Sequence, residues 1–483
     1  MNPKSLRPWF ASGFARAGTR AAVLVLSALI AGCAIGPAYE RPRVEAPTAW
    51  KEAPAAEGWV PAAPADALDR GAWWQLFGDA ALDELADRVE VSNQNIAAAV
   101  ASYAQATALV RAQRAALFPS VSFGGSTRRS GSTGSGQGSG SASGQSDVTL
   151  GLDWAPDVWG RLRAAVGSAQ AQAEASQADL ASARLSAQGE LATNYFALRE
   201  SDAELALLDV TLEGYERTLA IARNRYEAGI AAQSDVLQAQ TLLVNTRAER
   251  AALERNRAAL EHAIAVLLGV APAEFRLPVA SSWQPVVPAV PLGVPSTLLQ
   301  RRPDIAAAER AVAIANAQIG IERSAYFPSL GLSASIGRSA SRVGDLFSAS
   351  DTLWSLGLSV AQVVFDAGAI GARVDAARAA RDAAVARYRQ TVLVAFQGVE
   401  DQLTATASLA QQEALRREAS SAADRTEQQI LNRYRAGQVS YTEVVTAQAS
   451  ALNARRTVLQ VGANRQTAAV GLIQALGGGW RVD

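Results

Sequence analysis

The sequence predicts a mainly α-helical chain that also carries a small transmembrane β part. Three observations lead to this fold class. Two helical patterns of about 67 residues contain no proline. Several segments alternate apolar residues with Gly, Ser and Thr, and one half of the chain repeats in the other.

The internal repeat has a spacing of about 208 residues, far longer than the roughly 20–50 residues of solenoid repeats. Asn224–Gly229 (NRYEAG) recurs as Asn432–Gly437 (NRYRAG), and Leu117–Ser120 (LFPS) recurs as Tyr326–Ser329 (YFPS). The matching segments keep the same order, which indicates duplication. Each half is predicted to contain a helix, two strands and two more helices. The proline-rich stretch 272–295 joins the halves as an extended linker.

Two long helices are predicted, one from Arg161 to Tyr226 and one from about Ala369 to Tyr434. Each would be roughly 100 Å long, whereas helices of globular proteins average about 11–12 residues. Apolar positions recur at steps of three and four, which is typical of a coiled-coil seam. The seams comprise Leu205, Leu208, Leu212, Tyr215, Leu219, Ala222 and Tyr226 in the first helix, and Val385, Tyr388, Val392, Ala395 and Val399 in the second. The helix that opens the first half is predicted at about 80–117.

The four predicted strands combine one apolar face with one face of small polar residues. The alternation is clearest at 148–154, 330–336 and 354–360. An apolar outer face and a polar inner face are typical of a transmembrane barrel, although a soluble sandwich is an alternative that strands alone leave open. The Gly/Ser-rich stretch 124–146 is predicted to be a hairpin loop, and it lacks the lysine of a phosphate-binding loop.

Four strands cannot close a barrel. Open sheet edges are not tolerated in lipid, because each unpaired backbone group costs several kcal/mol there. If these strands lie in a membrane, several chains must share one barrel.

The first 32 residues are predicted to be a signal peptide. Basic residues precede an apolar run at 21–31 of about 11 residues, whereas a membrane-spanning helix takes about 20. The run ends in Ile30-Ala31-Gly32-Cys33, which is similar to a lipobox. We predict that Cys33, the only cysteine, becomes the N-terminal residue and carries lipid. A buried thiol is the alternative.

The composition argues against nucleic-acid binding and catalysis. The 45 basic and 45 acidic residues balance, and a nucleic-acid site would need clustered Lys and Arg. One His and one Cys leave too few ligands for a His/Cys metal site. His262 lies in a helical pattern and is interpreted as a surface residue. We predict no enzyme activity and no cofactor besides the covalent lipid on Cys33.

The chain resembles the TolC-like outer-membrane efflux family, and most closely its lipidated NodT/OprM-like branch. The similarity extends from Cys33 to Gly479. It rests on motifs that are specific only in combination: Cys33–Tyr39 (CAIGPAY), Trp73-Trp74 with Leu76–Asp79 (LFGD), Leu298–Ile305 (LLQRRPDI), and Ala317–Gly320 with Tyr326–Pro328. Ala34, rather than Asp, follows the cysteine, which resembles lipoproteins sent to the outer membrane.

The resemblance implies a homotrimer in the outer membrane. Its 12-stranded β-barrel, with four strands from each chain, would continue into a long α-helical coiled-coil barrel in the periplasm. The implied function is that of a passive channel in a tripartite efflux system that exports small molecules such as drugs and toxic compounds. The implied partners are a periplasmic adaptor protein, an inner-membrane RND-type transporter and outer-membrane lipid.

The turns after the long helices are candidate functional sites. Gly229 and Gly437 are expected to terminate the helices in the left-handed conformation. By the resemblance, Gly229, Ile230, Gly437 and Gln438 lie at the periplasmic tip, where the adaptor docks and the tunnel opens.

Asp235 and Glu443 follow these turns, and each is either a helix cap or a gating charge. Ser440-x-x-Glu443 resembles a capping box. A ring of Asp that constricts the tip of some relatives corresponds to Thr446 here, which is not acidic.

The predicted organisation has six regions: a signal peptide at 1–32, an extended N-terminal segment at 33–79, a first repeat at 80–269, a proline-rich linker at 270–296, a second repeat at 297–479 and a tail at 480–483. Arg301–Asp304 is expected to be a structural linker with local ion pairs. The alternatives are a type I secretion channel, which shares the fold, and a periplasmic adaptor lipoprotein, which would have one helical hairpin and no barrel strands.

Overall fold

The computed structural model describes residues 35–52, 71–131, 143–280, 282–290, 301–346, 348 and 352–478. The predicted signal peptide, Cys33 and the tail at 480–483 lie outside these residues. The chain divides into two compact units, the first comprising residues 1–42, 103–176 and 308–388, the second 43–102, 177–307 and 389–483. The helices of the described residues lack an apolar stretch long enough to cross a membrane.

Seven α-helices lie in the described residues: α1 (Ala80–Ser92), α2 (Gln94–Ala115), α3 (Arg161–Glu227), α4 (Gln233–Leu267), α5 (Pro303–Arg323), α6 (Ala369–Arg435) and α7 (Tyr441–Ala475). Both long helices occur where the sequence predicts them. α3 and α6 have 67 residues each, and α4 and α7 have 35 residues each.

The opening helix predicted at 80–117 is wrong as one element, because the chain breaks at Asn93. The Asn93 Oδ1 accepts hydrogen bonds from the backbone N–H groups of Asn95 and Ile96, at 2.9 and 3.1 Å. This side chain therefore caps the start of α2. Its Nδ2 donates to the Leu267 carbonyl at 2.8 Å, which ties the break to the end of α4.

Four antiparallel strands form one sheet in the first unit, in the order β1 (Ser120–Ser130), β2 (Ser143–Trp154), β3 (Ser329–Ala340) and β4 (Thr352–Ala361). The prediction of a loop over 124–146 is wrong at both ends of that stretch, since β1 extends to Ser130 and β2 begins at Ser143. The Thr127 and Ser146 hydroxyls hydrogen-bond across these strands at 3.0 Å. Cross-strand pairing thus compensates for the low strand propensity of Gly and Ser.

The second unit buries the coiled-coil seam of α3. Leu208, Leu212, Tyr215, Leu219 and Ala222 are all buried. The predicted seam ends one turn too late, because Tyr226 is 45% exposed. In α6 the seam positions Val392, Ala395 and Val399 are buried as well. Burial of such a stripe is what holds a long helix against its neighbours.

The linker after α4 is held by a buried cluster of charges in the second unit. Asp202 is fully buried and accepts hydrogen bonds from Arg199 at 3.0 Å, from Arg257 at 2.5 Å and from the backbone N–H of Ala280 at 3.0 Å. Arg199 also donates to the Pro278 carbonyl at 2.7 Å. These hydrogen bonds join the linker residues Pro278 and Ala280 to α3.

The N-terminal segment of the first unit lies along α5. A Cβ atom on Gly36 would be 3.1 Å from the Cα atom of Gly320, so a larger residue would require one of the two backbones to shift. The Asn316 Nδ2 donates to the Pro37 carbonyl at 2.9 Å, and the Tyr39 hydroxyl donates to Glu309 at 3.0 Å. The chain that leads from Cys33 is therefore fixed to α5, the helix that precedes β3.

Candidate functional site

The sheet separates its side chains into two chemically different faces. One row across the sheet pairs Phe123 with Leu150, Leu150 with Ile336, and Ile336 with Trp354. The neighbouring row on the other face pairs Ser122, Gly151, Ser335 and Ser355. Phe123 and Trp354 are 76% and 77% exposed in the single chain, so the apolar face is uncovered. Such a face suits contact with lipid, whereas the small polar face suits a water-filled lumen.

The two edges of the sheet are β1 and β4. Each edge strand pairs on one side only, and the backbone N–H and C=O groups of its other side face outward. In water these groups bind solvent, but in hydrocarbon they need a second strand. The sheet of one chain is therefore incomplete as a membrane structure.

Aromatic residues cluster where the strands meet the helices. Trp159 stacks on Phe327 with ring centroids 5.0 Å apart, and its Nε1 donates to the Pro328 carbonyl at 2.6 Å. These residues line a cavity of about 380 Å³ in the first unit. Phe118 before β1 and Phe365 after β4 are 70% and 87% exposed at the same end of the sheet. Aromatic side chains in this position are typical of a membrane–water interface.

The two glycine turns have the same conformation. Gly229 and Gly437 have φ values of 75° and 74°. The N–H of Gly229 donates to the Tyr226 carbonyl and that of Gly437 to the Tyr434 carbonyl, both at 2.9 Å. A side chain at either glycine would strain the backbone, because the left-handed region costs other residues about 1–2 kcal/mol. We call residues 224–240 and 432–448, which contain both turns, the turn end.

A tyrosine cluster forms the core of the turn end. The rings of Tyr434 and Tyr441 meet edge to face at 5.3 Å, and Tyr215 belongs to the same buried group. Burial raises the pKa of Tyr215 to about 12, and it raises the pKa of Tyr441 well above its usual range. Burial, with a contribution from the negative charge of Asp235, also raises the pKa of Tyr434. The cluster therefore keeps its hydroxyl groups protonated.

Arg225 connects the two turns. Its Nη1 donates to the carbonyls of Tyr434 and Arg435, at 3.0 and 3.4 Å. Its guanidinium carbon lies 4.9 Å from the centroid of the Tyr434 ring. A cation at the carbonyl end of a helix stabilises that helix, and a cation–π contact adds about 0.5–1 kcal/mol. Arg225 thus caps the end of α6 from the end of α3.

Asp235 and Glu443 occupy equivalent helix starts with different surroundings. Ser440 and Glu443 form the predicted capping box at the start of α7, in which the Glu443 Oε1 accepts a hydrogen bond from the backbone N–H of Ser440 at 3.3 Å. Asp235 lies in the first turn of α4, where a negative charge stabilises the helix dipole, and its charge acts on the Tyr434 hydroxyl. Thr446 donates instead to the Thr442 carbonyl of its own helix at 2.9 Å.

Comparisons with known proteins identify the family of this chain. The model of the outer membrane efflux protein family matches residues 85–270 and 294–478. The chain belongs to the outer membrane efflux protein family. Two relatives from Pseudomonas putida, the "Probable efflux pump outer membrane protein TtgC" and the "Antibiotic efflux pump outer membrane protein ArpC", are each 32% identical over 462 residues, with 94% of both chains covered. The solved outer-membrane channel OprN is 30% identical with a TM-score of 0.82, covering 93% of this chain and all of OprN.

The family is one of outer-membrane efflux channels and not of enzymes, and the predicted family and channel function are confirmed. Among the residues that the structure describes, none of the groups of His, Asp and Glu could hold a metal ion. His262 is an exposed residue of α4, as predicted. The Arg302 guanidinium pairs with Asp304 at 2.7 Å and donates to the Ala475 carbonyl at 2.9 Å, so the predicted ion pair at 301–304 is present in this outer membrane efflux protein.

The turns of this outer membrane efflux protein place Gly229, Ile230, Gly437 and Gln438 at exposed positions. Their predicted docking role stays a prediction, as does lipidation of Cys33, which lies outside the described residues. Arg225 was missed by the sequence interpretation. The duplicated Asn-Arg-Tyr at 224–226 and 432–434 marks its position, but its partner lies 209 residues away in the sequence.

Proposed function

We propose that this protein is a lipid-anchored, trimeric outer-membrane channel that conducts small molecules through a shared barrel and a helical tunnel. The observation that carries the proposal is the four-stranded sheet with an exposed apolar face and two edge strands. In lipid, the backbone N–H and C=O groups of the edge strands find hydrogen-bond partners only when neighbouring copies of the sheet close a barrel.

Three copies of the sheet supply 12 strands, which exceeds the 8 strands of the smallest single-chain membrane barrels. The equal lengths of α3 and α6, and of α4 and α7, support an origin of the two halves by duplication. Three chains then provide six similar helical units around one tunnel.

The anchor is the lipid on Cys33. The segment from Ile35 onward lies along α5, and α5 leads into the aromatic end of the sheet. Only two residues separate Cys33 from Gly36, and an extended chain covers at most about 3.6 Å per residue. The acyl chains therefore emerge close to the interfacial aromatic residues, where they enter the same membrane as the barrel.

The turn end forms the periplasmic tip, where a periplasmic adaptor and an inner-membrane RND-type transporter connect. Ile230 is 67% exposed beside Gly229 and offers an apolar contact to an adaptor. The relative named as an antibiotic efflux pump component supports small molecules such as drugs as the exported class. The tunnel itself performs no chemistry, so selectivity resides mainly in the transporter.

The test is the mass of the full-length protein extracted in detergent, corrected for bound detergent and lipid. We expect a trimer that resists dodecyl sulfate until it is heated and that conducts ions in planar bilayers. A stable monomer without conductance would contradict the proposal. Labelling with radioactive palmitate should mark the wild-type chain and not the Cys33→Ala variant, and equal labelling of both would refute the anchor.

A further inference from the structure

The apolar face of the sheet carries a cavity with an arginine at one end. The cavity has a volume of about 380 Å³, and Phe123, Leu150 and Ile336 line it in the first unit. Val148 and Arg338 are cross-strand partners in the next row towards the hairpins, and they line it too. Both rows lie on one face, because side chains two residues apart along a strand point the same way. We call this cavity the recess.

The neighbours of the recess leave it open on the outside of the sheet. In the row of Val148 and Arg338, β1 contributes Gly125, which has no side chain to fill the space. Leu346, in the loop after β3, adds a buried apolar side chain to the lining. The recess lies over β2 and β3, the two central strands. Pairing of the β1 and β4 edges with other copies would therefore leave it uncovered.

The chemistry of this face changes at Arg338. On the side of the helices the face is apolar at Leu150, whereas on the side of the hairpins Thr127 and Ser146 join their hydroxyl groups at 3.0 Å. At a strand tilt of about 45°, the part of β3 from Leu330 to Arg338 rises by about 19 Å, within an apolar band about 25 Å tall. Arg338 therefore lies near the edge of the band, where an arginine costs little.

The hairpin end of the sheet is the end away from the helices. The chain enters the sheet from α2 and α5 and leaves it to α3 and α6, and all four connections lie at one end of the antiparallel strands. When the helices extend into the periplasm, as proposed above, the hairpins face the exterior of the cell. Arg338 then lies at the height of the headgroups of the outer leaflet.

We infer that the recess binds lipid A, the phosphorylated glucosamine lipid of the outer leaflet. The inference rests on the proposed channel, which gives the sheet its orientation. The Arg338 guanidinium binds a phosphate group, and an acyl chain of the same lipid lies against Val148 and Leu150. A guanidinium donates two parallel N–H···O bonds to phosphate and is more weakly hydrated than an ammonium group, so it suits this site.

Arg338 is available for such a ligand. Its side chain is exposed in the single chain. None of the ion pairs among the residues that the structure describes involves it. A cation at the edge of a lipid-facing surface attracts the anionic groups of the membrane. Lipid A joins such a group to acyl chains, and the recess places a cation beside apolar walls.

Native mass spectrometry of the purified full-length trimer with added lipid A tests the site. We expect one bound lipid A molecule for each chain, and weaker binding of the same lipid after its phosphates are removed. Arg338→Gln should weaken lipid A binding about ten-fold, the effect of losing one charged hydrogen-bonding group. The matched control is Arg128→Gln, which removes the same charge from the opposite face of the sheet and should bind lipid A like the wild type.

Val148→Trp tests the apolar part of the recess, because it fills the space beside Arg338 and keeps the charge. We expect weaker lipid A binding by this variant as well. Unchanged binding by Arg338→Gln or Val148→Trp trimers, or an equal loss in Arg128→Gln trimers, would overturn the inference. Equal binding of lipid A with and without its phosphates would also overturn it. A conducting trimer keeps the proposed channel intact in all these cases, whereas a monomeric wild-type protein without conductance would refute the channel itself.

Discussion

The sheet and the helical seam distribute their apolar side chains in opposite ways. In the sheet Trp354, Leu356 and Leu358 are 70% exposed or more, although they alternate regularly with small residues. In the seam Leu208 and Val392 are fully buried within a single chain. Water drives apolar side chains into the interior of a protein, whereas lipid does not. Buried apolar side chains therefore indicate a region in water, and an exposed apolar face is what a region in lipid would have. The difference teaches that one chain buries its helical seam by itself but leaves the apolar face of its sheet uncovered.

The largest expected effect follows from a cavity in the helical seam. Leu208→Ala should lower the free energy of unfolding by about 2–5 kcal/mol, since Leu208 is fully buried. Denaturant unfolding followed by helical circular dichroism measures the loss. Leu356→Ala is the matched control in the sheet and should cost less than about 1 kcal/mol, because no cavity forms beside a side chain that faces lipid. Equal losses at both sites would mean that the sheet buries its apolar face against protein.

The second effect concerns a charge on the lipid-facing side of the sheet. Leu356→Arg should destabilise the membrane-inserted protein by about 2–4 kcal/mol, the cost of arginine near the middle of a bilayer. The amount of heat-modifiable trimer in outer membranes would fall accordingly. Ser355→Arg places the same side chain on the small polar face one residue away, and we expect its trimer to accumulate normally. If Ser355→Arg lowered the amount of trimer and Leu356→Arg did not, the small polar face would be the one that contacts lipid.

The smallest effect is a loss of stability at high pH that comes from the buried tyrosine cluster of the helices. Since the pKa of Tyr215 is raised to about 12, the stability from its buried neutral form is complete below about pH 10 and is lost as the pH rises to about 12. We expect a loss of about 2 kcal/mol in that interval, measured as a falling melting temperature. Tyr215→Phe should remove its own share of this loss and leave the shares of Tyr434 and Tyr441. The four strands contain no tyrosine, so a sheet that lost stability over the same interval would contradict this explanation.

Periodic features of the fold were predictable from the sequence. The alternation around Leu150 and Leu356 gives the two faces of the sheet, and a long pattern without proline gives α3 and α6. Both depend only on neighbouring residues and on the regular spacing of side chains along a strand or helix. The same spacing left a soluble sandwich as an alternative, and a membrane sheet shared by several chains stays a prediction.

Features that depend on distant partners were not predictable. Asn93 caps α2, and the tie of this break to the end of α4 comes from its contact with Leu267, which lies 174 residues away. Ser130 and Ser143 belong to strands because they pair with each other, although their sequence resembles a loop. Arg225 looks like any exposed helix residue until α6 is placed beside it. In each case the deciding contact is absent from the local sequence.

The two unpaired edges of the sheet also have a consequence for genetics. In the proposed trimer, a subunit whose β1 edge is damaged would still offer an intact β4 edge, so it would enter rings with normal subunits and leave them open. With equal expression and random mixing, only roughly one ring in eight would contain normal subunits alone. Mutations at these edges should therefore be dominant over a wild-type copy of the gene, whereas mutations that unfold the helices should be recessive.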